Sequence, residues 1–74
     1  MAQSFIRRTC IRDNKITDIF VEPCSKKEFE HYKMELQNKF GGCYAVQTVG
    51  KNEFAASFRV MGEASLEICQ FHAA

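Results

Sequence analysis

One sharply delimited helix, in a chain that otherwise reads as strand, constrains this sequence most. Ser25-Lys26-Lys27-Glu28 has the capping-box pattern, in which the Ser25 hydroxyl accepts from a first-turn amide and Glu28 reaches back to the Ser25 amide. Pro23 just upstream disfavours an earlier start. Phe29, Tyr32, Leu36 and Phe40 then recur on one stripe with Met34 at its flank, while Lys26, Lys27, Glu30, Lys33, Glu35 and Lys39 fall on the water side. Gly41-Gly42 supplies residues that adopt left-handed dihedrals and stop the helix. The pattern predicts a helix over 26–40.

On both sides the pattern becomes that of strands. Residues 4–12 and 16–22 are rich in Ile, Phe, Val and Thr and flank Asp13-Asn14-Lys15, a hairpin turn signal. Residues 43–49 and 54–60 flank Gly50-Lys51-Asn52-Glu53, and a last run, 65–71, follows Met61-Gly62-Glu63-Ala64. A two-residue turn at Lys51-Asn52 would pair Val49 with Phe54, Ala45 with Phe58 and Cys43 with Val60. For the final hairpin, a three-residue loop from Gly62 to Ala64 would pair Val60 with Leu66, Phe58 with Ile68 and Arg59 with Glu67. That register keeps the apolar residues together, and a one-residue slip would reverse every side chain. The expectation is one compact α+β domain over 1–74. An antiparallel sheet of about five strands, in the order ββαβββ, would carry the amphipathic helix on one face. The helix would then cover Val49, Phe54, Phe58, Val60, Leu66 and Ile68.

Composition narrows the function. An apolar fraction of 46% with seven Phe and two Tyr implies a packed core rather than a disordered chain. Seventy-four residues support one modest core, worth ~3–5 kcal/mol unless a staple or a second copy adds to it. Ten Lys+Arg against nine Asp+Glu give a formal charge of +1, which disfavours both an acidic nucleic-acid mimic and a strongly basic nucleic-acid binder. The opening MAQSFIRRTCIRD has no apolar core of a signal peptide, and no apolar run nears the ~20 residues of a membrane span, so a cytoplasmic protein is expected. Cys10, Cys24, Cys43 and Cys69 show no CxxC spacing, and His31 and His72 have no paired ligand spacing. No metal and no cofactor are therefore expected, and the thiols read as small apolar fillers. Cys24, just ahead of the helix and followed by Lys26 and Lys27, is the thiol expected to be most reactive.

The surplus apolar surface is the functional clue. In the expected register Tyr44, Val46, Arg59, Glu67, Cys69 and Phe71 lie on the face away from the helix, as a protein-binding set. The first hairpin is apolar on both faces, with Ile6, Cys10, Ile19 and Val21 one way and Phe5, Ile11, Ile16 and Phe20 the other. One helix cannot cover both, so either the sheet curls over part of itself or a partner supplies the second cover, a need that a homodimer would meet. The same hairpin is the basic end of the chain. Arg7, Arg8, Arg12 and Lys15, interleaved with Phe5 and Phe20, form the alternative nucleic-acid-binding set, against which stands the plainer reading of a charged strand edge guarded from aggregation.

No nucleophile elbow, P-loop, GxGxxG, HExxH or EF-hand pattern occurs, and Glu28, three residues from His31, is already engaged by the cap. The expected function is therefore that of a small non-enzymatic binding protein acting through protein–protein contact. Its economy is that of a phage or mobile-element inhibitor that sterically blocks a host machine such as a defence nuclease complex. The alternatives are the weakly basic nucleic-acid module and an obligate homodimer with a structural role.

Overall fold

The computed structural model describes residues 3–39, 44–60 and 62–74. Two strands, β1 (Phe5–Arg12) and β2 (Lys15–Pro23), precede the helix α1 (Lys26–Lys39). Three more, β3 (Tyr44–Gly50), β4 (Glu53–Val60) and β5 (Glu63–His72), follow it. All neighbours are antiparallel and the order across the sheet is β2-β1-β5-β4-β3. The α+β architecture with the helix on one face is as expected.

The helix begins where the capping box places it. The Glu28 amide donates to Ser25 Oγ at 3.1 Å, and the Ser25 amide donates to Glu28 Oε1 at 3.0 Å. The Ser25 amide, and after it the Ser25 hydroxyl, hold the Glu28 carboxyl below its usual range. Phe29 and Leu36 are buried, Tyr32 is half-buried and Met34 is exposed, so the stripe points inward as its spacing requires. Phe40, Gly41, Gly42 and Cys43, expected to end the helix and open the next strand, lie outside the described residues.

The first hairpin turns on Asp13 and Asn14, with φ of 54° and 62°. Two central residues in the left-handed region make a type I′ turn, whose twist suits the flanking strands. Lys15 is therefore strand, not turn. A bulge follows at Thr17, between the pairs Cys10–Asp18 and Ile11–Ile16, and Thr17 Oγ1 donates to the Cys10 carbonyl.

Two registers differ from expectation, and with them the assignment of faces. Lys51-Asn52 does form a two-residue turn, pairing Gly50 with Glu53, but a bulge at Val49 then shifts the ladder. Thr48 pairs with Phe54 and Tyr44 with Phe58. Between β4 and β5 the loop is tighter than the predicted three residues: Val60 pairs with Glu63 and Phe58 with Ser65. Gly62, at a φ of 86° that L side chains rarely adopt, permits the shorter turn. The odd register change turns β5 over, so Cys69 and Phe71 face the helix while Leu66 and Ile68 face away.

The core is Ile6, Cys24, Phe29, Leu36, Phe54, Ala56, Cys69 and Phe71, with Tyr32, Tyr44 and Val46 packed against it. Its centre is aromatic, the Phe29 ring lying 5.3 Å from Phe54 and 5.6 Å from Phe71. Val49, expected in the core, is 59% exposed because the bulge places it outside the paired ladder.

Candidate protein-binding face

The ladders define what the helix leaves uncovered. On the open side, Gln70 lies between Arg7 and Glu53, Ile68 between Thr9 and Ala55, and Leu66 between Ile11 and Ser57. Outside β1 stand Val21, Ile19 and Ile16 of the edge strand β2. At the far end the face deepens into a groove of about 600 Å³ between the two turns, lined in part by Ile11, Ser57, Ala64 and Leu66. Ile16 and Val21 are 62% and 60% exposed, and every residue of β2 is exposed. Apolar residues joined across three strands form a patch of the kind that marks contact surfaces.

This face is not the one expected. Of the predicted protein-binding set only Arg59 lies on it, paired across the sheet with Ala64. Cys69 and Phe71 are buried beneath the helix, Glu67 is half-buried there, and Tyr44 and Val46 pack against the core. The expected contact residues are thus mostly core, because the bulge at Val49 and the short loop at Gly62 each reverse a strand relative to the predicted faces. The residues missed are Ile19, Ile68, Leu66 and their neighbours. Their signal in the sequence is the first hairpin, apolar on both sides: Phe5, Ile11 and Ile16 do share the open face as expected, but Ile19 and Val21 join them there rather than Ile6 and Cys10, and Phe20 lies on the helix side.

Beneath the helix the reversal gathers a polar cluster. Tyr32 donates its hydroxyl hydrogen to Glu67 Oε1 at 2.6 Å and accepts from Arg8 at 3.5 Å, and the Cys69 thiol donates to the same carboxylate at 3.2 Å. Arg8 also reaches Glu22 at 3.3 Å, and its guanidinium lies 5.0 Å from the centre of the Phe20 ring. Burial first, and the hydrogen bond to Glu67 second, push the Tyr32 phenol and the Cys69 thiol well above their ordinary values. For Arg8, burial works against the charge, but Tyr32, Glu67 and Glu22 outweigh it and the guanidinium is raised. The cluster is internally satisfied, and no buried side-chain nitrogen or oxygen among the described residues lacks a partner.

The expected reactive thiol behaves otherwise. Cys24 is buried, donates to the Ser25 carbonyl, and has its pKa raised by burial and by the fields of Glu28 and Glu22. Burial, and after it the two carboxylates flanking the helix start, all favour the protonated thiol.

The predicted nucleic-acid set does not converge. Arg7 is on the open face and Arg8 on the helix side, held by Tyr32 and Glu22. Arg12 pairs with Glu63 at 3.7 Å, and Lys15 is exposed beside the turn. Among the described residues no three metal-binding side chains gather, and no helix is long and apolar enough to cross a membrane. The chain matches no protein-family model, no curated protein and no solved structure.

Proposed function

We propose that this chain is a small non-enzymatic binding protein that acts through protein–protein contact, using the open sheet face centred on Ile19, Ile68 and Leu66. The observation that supports this reading is the uncovered apolar ladder, with Ile16, Ile19 and Val21 all exposed on an edge strand. The main polar cluster, around Tyr32 and Glu67, is occupied with itself, which weighs against a catalytic role for it. The reading keeps the cytoplasmic setting expected from the sequence. A steric inhibitor of a host machine is its narrower form, supported by small size and near-neutral charge. The nucleic-acid reading is disfavoured by the dispersal of its four cations over both faces and the sheet end, with Arg8 and Arg12 already paired. The test is Ile19→Asp beside Arg8→Ala, each immobilised as bait against a lysate of the source cells. Loss of specific capture in the first and retention in the second is expected; equal capture by Ile19→Asp and the native chain would refute the assignment.

A further inference from the structure

We propose that the occupant of the open face is a second copy of this chain, packed face to face about a two-fold axis running along β5. The inference rests on the reading of that face as the protein-binding surface. It adds the partner.

Strand β5 is the middle strand, so this axis lays the β2–β1 half of one copy on the β4–β3 half of the other. The halves are complementary in bulk. The rows that pair Thr9, Ile68 and Ala55, and Ile11, Leu66 and Ser57, show it directly. The axis sets Ile11 over Ser57 of the second copy and Thr9 over Ala55, large on small in both directions. One strand further out, Ile16 falls over Ala45 and Val21 over Gly50, where a Cβ would meet nothing within 4 Å, while between them Ile19 falls over the longer Gln47. Ile68 and Leu66, on the axis, meet their own counterparts. Such large-and-small alternation is what lets two sheets interdigitate at a separation of ~10 Å.

Charge obeys the same symmetry. Arg7 and Glu53 are the two cross-strand neighbours of Gln70. An axis through Gln70 exchanges them, so each Arg7 faces the Glu53 of the other copy. Among the described residues Arg7 has no ion-pair partner in its own chain, and Glu53 is engaged only by Gln70, at 3.4 Å. Both requirements of an isologous contact, matching bulk and matching charge across one operator, are met by a single face. Area suffices as well. A stable interface takes ~800 Å² per partner, about 15% of the 5460 Å² surface. The open face is a broad side of a body 44 × 26 × 18 Å in extent.

Sedimentation equilibrium of the full chain from about 5 to about 200 µM is the test. The expected mass is about 17 kDa, twice the 8.5 kDa chain. Arg7→Glu and Glu53→Arg should each raise the dissociation constant by about tenfold or more, and the double exchange should return it to within about threefold of native. Ser57→Trp, on an exposed position, should abolish the dimer by filling the space Ile11 occupies. Circular dichroism identifies any variant that does not fold. A native mass of 8.5 kDa throughout would overturn the second copy while leaving the binding face to stand or fall on Ile19→Asp capture. A dimer not restored by the double exchange, or indifferent to Ser57→Trp, would overturn this arrangement.

Discussion

Replacing Tyr32 by Phe isolates the polar cluster under the helix. The substitution keeps the ring, which lies 6.2 Å from that of Phe54, and removes the hydroxyl that bridges Glu67 and Arg8. A hydrogen bond to a charged group contributes ~1.5–3 kcal/mol. Tyr32 retains solvent contact, which places its bond in the lower part of that range, about 1.5–2 kcal/mol. Against a total of ~4–11 kcal/mol for a domain this size, the loss is substantial. At ~4–8 °C per kcal/mol the melting temperature should fall by about 6–16 °C.

Urea unfolding of both proteins at pH 7, repeated up to pH 11, measures the effect. An acid whose pKa is raised by folding keeps its proton in the native state and loses it first in the unfolded chain. Its contribution is complete below the unfolded value and drains away as pH climbs. Cys69 and Tyr32 are both raised, so native stability should hold to about pH 8.5 and then decline, with the tyrosine joining near pH ~10. Each group adds at most ~1.4 kcal/mol per pH unit, and Tyr32 less because water screens it. The Phe variant should be less stable at pH 7 and lose the steeper limb above pH ~10. A variant within ~0.5 kcal/mol of native at pH 7, with an unchanged alkaline slope, would refute the account of the cluster.

Other substitutions probe the cap, the turn and the faces. Ser25→Ala should cost about 1 kcal/mol in urea unfolding, since it removes the acceptor of the Glu28 amide. Asn14→Gly should stabilise by up to about 1 kcal/mol, because the residue sits at a φ of 62°. Phe71→Asp should unfold the chain, as losing the buried ring alone costs ~3–5 kcal/mol. By contrast, Ile19→Asp should leave the melting temperature nearly unchanged in dilute solution; the opposite ranking by thermal melt would reverse the assignment of faces.

Much of the architecture was legible because it rests on local chemistry. Ser25 and Glu28 announce the helix start, Phe29 and Leu36 its inner face, and Asp13-Asn14 the first turn. The faces were harder to read, since a strand's side-chain period is two and one extra residue inverts it. The bulges at Thr17 and Val49 have no propensity signature in the chain, and a two-residue loop around Gly62 competes closely with a three-residue one. The predicted pairing of Phe58 with Ile68 kept apolar residues together. The fold instead gives the helix the ring of Phe71 and lets Tyr32, Glu67 and Arg8 satisfy one another below it. Periodicity weighs hydrophobicity alone and cannot credit that long-range polar match, which is why Cys69 and Phe71 read as surface and Ile68 as core.

The position of β5 between β1 and β4 has a consequence for how the chain is made. The two hairpins on its flanks are local and can close early, but their seam is the last strand to leave the ribosome among these residues. Until then the helix has neither Cys69 nor Phe71 to pack upon, and β1 and β4 each present a bare backbone edge. Pairing Phe5 with His72 closes a loop of nearly the whole sequence, the slow kind of contact. Translation that stalls before residue 63 would therefore release two sticky half-sheets rather than a smaller version of the protein, and such a fragment is a natural substrate for chaperones and proteases.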